Sequence, residues 1–126
     1  MGLFTDPLVL VDEDTNNRTF NFRAQLTEQN AIVGEYIEPA ASIAAGSKLV
    51  VKHTTSASGL KRHLLQRVET FDLTADPTDG SEAVVVNLTI SHHKLATDTQ
   101  VQNQLTLIKD ALSETNFLEN FMRELI

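Results

Sequence analysis

The sequence predicts an α+β domain, an antiparallel β-meander that opens with an N-terminal hairpin and ends in two C-terminal helices. Three observations carry this reading. Apolar and polar residues alternate with a period of two through most of the stretch from Leu8 to Ile90, turn-forming clusters separate the alternating runs, and the period becomes helical after Leu95. A chain of 126 residues with 41% apolar content has the size of one domain and enough apolar side chains for a core.

Leu8, Val9, Leu10 and Val11 form a short apolar run that stops at the turn-rich "DEDTNN". "RTFNFRAQL" then alternates, with Phe20 and Phe22 on one face and Thr19, Asn21 and Arg23 on the other, so residues 1–24 read as a hairpin. "AIVGEYIE", stopped by Pro39, is the third strand and begins a main sheet expected over 31–91. "ASIAAGS" fits a helical turn or an edge strand equally well. From Lys48 onward one face carries Lys48, Val50, Lys52, Thr54 and Ser56, and the other carries Leu49, Val51, His53 and Thr55. After the turn "SASGLK", the returning strand puts Leu64, Gln66 and Val68 on one face and His63, Leu65, Arg67 and Glu69 on the other. "DLTADPTDGSE" is a loop with turns at Asp76-Pro77 and Asp79-Gly80, and "AVVVNLTI" has the composition of a strand placed centrally in a sheet.

Residues 97–126 read as two helices. Thr97 and Gln100 have capping-box spacing, and Asp98 suits the positive end of the helix dipole. Val101, Leu105, Ile108 and Leu112 make one apolar stripe; "SETN" interrupts it, and Phe117, Leu118, Phe121, Met122 and Leu125 begin a second, shorter helix. One helical hairpin cannot cover both faces of so wide a sheet, and the second helix is more apolar than a terminal surface helix should be. An interlocked homodimer that shares helices and sheet is the simplest solution, with those eight residues of the two helices, Val101 to Met122, at its interface.

Composition excludes several classes. Cysteine is absent, so there are no disulfides, thiolate metal sites or cysteine nucleophiles. The N-terminal segment has no signal-peptide pattern and no apolar run reaches membrane-span length, so a soluble intracellular product is expected. The four histidines, His53, His63, His92 and His93, show no metal-binding spacing; ordinary surface or interface histidines are the expectation, and no metal, cofactor or small-molecule substrate is assigned. There is no nucleophile elbow and no Gly-rich phosphate loop, and nothing argues for catalysis.

Charge is the informative feature. The formal net charge is -7, yet no acid occurs between Glu38 and Glu69, and Lys48, Lys52, Lys61, Arg62 and Arg67 in that gap are half of the 10 Lys and Arg residues. A solvated sheet face protected by lysines is the plain explanation. The exclusion of acids, and the apolar packing already assigned to the opposite face, favour a surface that neutralises phosphates.

With these elements in order, the chain resembles the coat proteins of single-stranded RNA bacteriophages, the leviviruses. The resemblance spans nearly the whole chain and is most specific in "KLVVKHTTSASGLKRHLLQRVE" and "VVVNLTISHHKLATDTQVQNQLTLIKDAL". It implies a dimer with a continuous sheet and helices interlocked across the partner. It also implies an icosahedral shell packaging single-stranded RNA, a virion assembled in the bacterial cytoplasm, and, in many members, repression of replicase translation by binding one RNA hairpin. Carried over by position, the RNA-binding residues would be Lys48, Val50, Lys52, Thr54, Ser56, Leu65, Arg67, Glu69, Val85 and Asn87. Val50 and Leu65 stand where some relatives have threonines lining an adenine pocket, and Thr54 where an arginine is found. The rival readings are a small dimeric nucleic-acid-binding regulator that builds no shell, and a small enzyme with a site at a dimer interface.

Overall fold

The computed structural model describes residues 4, 6–39, 46–72 and 81–123. The "ASIAAGS" segment up to residue 45, the turns at Asp76-Pro77 and Asp79-Gly80, and Leu125 lie outside them. The chain divides into two compact units, Met1–Ser91 and His92–Ile126.

The first unit is built on one six-stranded antiparallel sheet whose strands lie in chain order, from β1 (Leu8–Val11) and β2 (Asn17–Glu28) through β3 (Ala31–Ile37), β4 (Ser47–Thr55) and β5 (Leu60–Asp72) to β6 (Ser81–His93). The N-terminal hairpin is not separate from the sheet. Its second strand continues past residue 24, pairing β1 with its first half and β3 with its second, and a bulge between Phe22 and Ala24 marks the change. The β1–β2 turn is closed by Asp12, whose carboxylate accepts from the Asn16 backbone N–H at 2.9 Å.

β6 departs from expectation. Its apolar composition reads as central, but within this chain it lies at the sheet edge, and Val84, Val85 and Val86 are 55, 47 and 62% exposed.

The core lies on one face of the sheet. Leu8, Phe20, Tyr36, Leu49 and Val51 are buried there, with Phe4 and Leu65 packed against them. The Phe22 and Phe4 rings meet Tyr36 edge-on, at centroid distances of 5.3 and 5.7 Å. The pairing explains the selection, since Leu8 lies opposite Phe20, Phe22 opposite Tyr36, and Tyr36 opposite Leu49, so all their side chains leave the sheet on the same side.

In the second unit, α1 (Asp98–Leu112) starts at a complete capping box. Gln100 N–H donates to the Thr97 hydroxyl at 3.2 Å, and Thr97 N–H donates to the Gln100 side-chain oxygen at 2.9 Å. Asn116, in the left-handed conformation with φ 61°, separates α1 from α2 (Phe117–Met122), as the "SETN" break predicts. The Phe117 and Phe121 rings stack at 5.5 Å. No residue of either helix is buried; Val101 and Phe117 are half-buried, while Leu105, Ile108, Leu112, Leu118, Phe121 and Met122 are exposed.

Candidate nucleic-acid interface

The face opposite the core is assembled by cross-strand register. Lys48 pairs with Val68, Val50 with Gln66, Lys52 with Leu64 and Thr54 with Arg62, so these eight side chains share one surface. β6 adds to it, because Gln66 donates to the Asn87 side-chain oxygen at 2.9 Å and Arg62 Nε reaches the Ser91 hydroxyl at 3.4 Å. Val85 and Thr89 alternate with them on the same side.

Five of the expected residues, Lys48, Val50, Lys52, Thr54 and Asn87, therefore do lie together, joined by Val85. Leu65, Arg67 and Glu69 do not. They pair with Val51, Leu49 and Ser47 and project from the core face. Ser56 is a turn residue rather than a strand residue: its hydroxyl accepts from Leu60 N–H at 3.0 Å and lies 2.9 Å from the Ser58 hydroxyl. Assigning all ten residues to one surface is thus corrected for these four. Arg62, Leu64, Gln66 and Val68 take the places on β5, and Ser91 extends β6.

The signal that could have found them is loop parity. Ser56 N–H bonds to Leu60 C=O at 2.9 Å, leaving three loop residues, the last of which is Gly59 at φ 85°. A three-residue loop pairs residues of like parity, so even-numbered Lys48 and Lys52 must share a face with even-numbered Arg62 and Gln66.

Charges on this surface are only loosely neutralised. Lys48 Nζ lies 3.8 Å from Glu35, and Lys52 Nζ lies 3.9 Å from Glu28. Contacts so long between solvated groups are weak, and a phosphate can displace them. The cations run along β4 and the start of β5, beside the neutral hydrogen-bonding groups of Gln66, Asn87 and Ser91. Such an arrangement can hold a polyanion by its phosphates and form hydrogen bonds to sugars or base edges.

Arg67 has a different task. On the core face its guanidinium sits 5.1 Å over the Phe20 ring and donates to Glu69 at 2.8 Å, to the Ser47 hydroxyl at 2.7 Å and to Lys48 C=O at 3.1 Å. Arg18 forks onto Glu38 at 2.8 and 2.9 Å and reaches Glu69 at 3.0 Å. Two cations and two anions thus form a network that ties β2, β4, β5 and the end of β3 over the core. Burial lowers the Arg67 pKa, with Glu69 opposing the shift, while hydrogen bonds donated to Glu38 and Glu69 raise that of Arg18. Both remain charged.

Hydrogen bonds from Arg18 hold the Glu38 carboxyl below its usual value of 4.5, against the opposing effect of burial. A carboxyl depressed by folding stabilises the native state above its unfolded pKa and loses that contribution as pH falls through the folded value. Melting temperature measured against pH should therefore separate the unmodified chain from Glu38→Gln most at about pH 6–7, and the gap should narrow as pH falls below the ordinary carboxyl value of 4.5. A gap that persists unchanged into acid would mean that Glu38 is not held by the network.

A one-layer antiparallel meander with a hairpin at one edge and two helices after the last strand is also the fold of coat-protein chains from bacteriophage particles. The chain is similar to the virus-like particle of bacteriophage NT-214, with a TM-score of 0.71, 15% identity, and 95% of this chain and 96% of the other covered. It is similar to the bacteriophage EMS014 coat protein, with a TM-score of 0.71, 15% identity and 97% of both chains covered. The virus-like particle of Beihai levi-like virus 21 matches with a TM-score of 0.70 and 12% identity, over 94% of this chain and 93% of the other. No protein-family model and no curated protein matches the sequence. At these identities the likeness establishes the coat-protein fold.

Proposed function

We propose that this chain is a structural capsid protein that dimerises, closes into an icosahedral shell and packages single-stranded RNA against the face of Lys48, Lys52 and Arg62. The observation that carries the reading is the near end-to-end likeness to chains of virus-like particles. The dimer is supported by two surfaces that a lone chain leaves open. β6 is a thirteen-residue edge strand with exposed valines, an aggregation hazard that pairing with β6 of a second copy about a two-fold axis removes. The apolar residues of α1 and α2 form a second exposed patch that a partner chain can cover. Within this reading the particle is a virion assembled in the bacterial cytoplasm, and the protein performs no catalysis. Binding of a genomic hairpin to repress replicase translation would fall to the neutral half of the face, at Gln66, Asn87 and Ser91.

Expression in bacteria followed by size-exclusion chromatography and electron microscopy tests the reading. Closed particles containing host RNA are expected. A nucleic-acid-binding dimer that never closes a shell would favour the regulator, and a dimer without nucleic acid would favour neither.

A further inference from the structure

We propose that His53 and His63 form a two-histidine binding site for a borderline divalent transition cation such as Zn²⁺. The two residues are directly paired across β4 and β5, and their Nδ1 atoms lie 2.8 Å apart with the rings inclined at 67°. Their ten-residue separation resembles no helical metal-binding spacing, because a hairpin turn brings them together rather than a helix.

Two imidazole nitrogens at this distance share one proton: one ring donates Nδ1–H to the lone pair of the other. If the donor ring moves its proton from Nδ1 to Nε2, both lone pairs face the same point with no net proton lost. A cation about 2.0–2.1 Å from each nitrogen in tetrahedral geometry separates the nitrogens by about 3.3 Å. Opening the pair by roughly half an ångström requires only small ring rotations. The cation replaces the shared proton, and water completes its coordination.

The surroundings decide which cation fits. Ile32 lies opposite His53 on β3, Val51 and Thr55 flank it on β4, and Leu65 and Lys61 flank His63 on β5. The paired donors are imidazole nitrogens, which favour Zn²⁺, Ni²⁺ or Cu²⁺ over the oxygen-seeking Mg²⁺. His53 is exposed and His63 half-buried, so the pair is reachable from solvent. The Lys61 charge opposes cation binding, and a Lys61→Ser change should strengthen it.

A cation bound to the folded pair bridges β4 and β5 and stabilises the native state by mass action. Zn²⁺ alone, titrated into the chelator-free protein, should bind saturably and raise the melting temperature, whereas Mg²⁺ should do neither. His53→Gln and His63→Gln should each abolish the effect, while His92→Gln and His93→Gln should keep it. A second measurement needs no variant. Carbethoxylation of His53 and His63 by diethylpyrocarbonate, read by peptide mass spectrometry, should fall in Zn²⁺ and not in Mg²⁺. Absence of saturable Zn²⁺ binding, binding that survives both substitutions, or protection confined to His92 and His93 would overturn the assignment.

Discussion

Changing Lys48, Lys52 and Arg62 together to serine is expected, under the proposed packaging role, to strip the particle of most of its RNA while leaving the fold intact. The three side chains share the open face, and each can neutralise phosphate and release condensed counterions. Three charges are lost per chain, six per dimer. For single-stranded RNA, the slope of log affinity against log salt should flatten by about 0.7 for each lost phosphate contact, or about 2 per chain. Exposed polar substitutions of this kind shift stability by only about 0.5 kcal/mol, so folding should survive. Arg67→Ser should behave in the opposite way. It leaves the open face unchanged but removes the guanidinium from Glu69, Ser47 and Phe20, with a loss of about 1.5–3 kcal/mol per charge-assisted hydrogen bond removed. Packaged nucleic acid read by absorbance ratio, RNA affinity across a salt series and a denaturant melt separate the two cases. Lys109 and Arg123, on and just after the helices, are the matched charge control. If Arg67→Ser depletes RNA as strongly as the triple change does, the division of the sheet into a core face and an RNA face is wrong.

Phe121→Ala is expected to break the assembly at an earlier step. Phe121 is 65% exposed in the single chain and stacks on Phe117, so truncation takes little from the isolated fold. Once a partner covers the ring, removing it costs roughly 3–5 kcal/mol per site, and a dimer contains two. The dissociation constant should rise at least about a hundredfold. Sedimentation across a concentration series should show free chains at concentrations where the proposed dimer of the unmodified protein persists, and particles should be lost from micrographs. Unchanged dimer stability would remove Phe121, and with it the α2 surface, from the interface.

Much of the local structure was legible in the sequence because its causes are local. The alternating stretches became strands, "DEDTNN" and "SASGLK" became turns, the Thr97–Gln100 capping box opened α1, and "SETN" ended it. Each follows from residues within a few positions of one another, through side-chain hydrogen bonds, preferred backbone angles or a hydrophobic period. Even the split of β5 into Leu64, Gln66 and Val68 against Leu65, Arg67 and Glu69 was visible as alternation.

What alternation cannot say is which half of one strand joins which half of the next. That is a question of register, and a shift of one residue exchanges the two faces. The three-residue loop ending at Gly59 set it here, putting Arg62 and Gln66 beside the lysines and sending Arg67 and Glu69 to the core side, where Arg18 and Glu38 arrive from other strands. The same register put His63 against His53, ten positions away in the chain. Strand order likewise decided that apolar β6 should be an edge, because no strand among the described residues pairs with its outer side. Local preference therefore determined the elements and the two faces of each strand, while the closed geometry of the β4–β5 loop and the pairing of distant strands decided which faces joined, because backbone hydrogen bonds between strands carry no side-chain identity of their own.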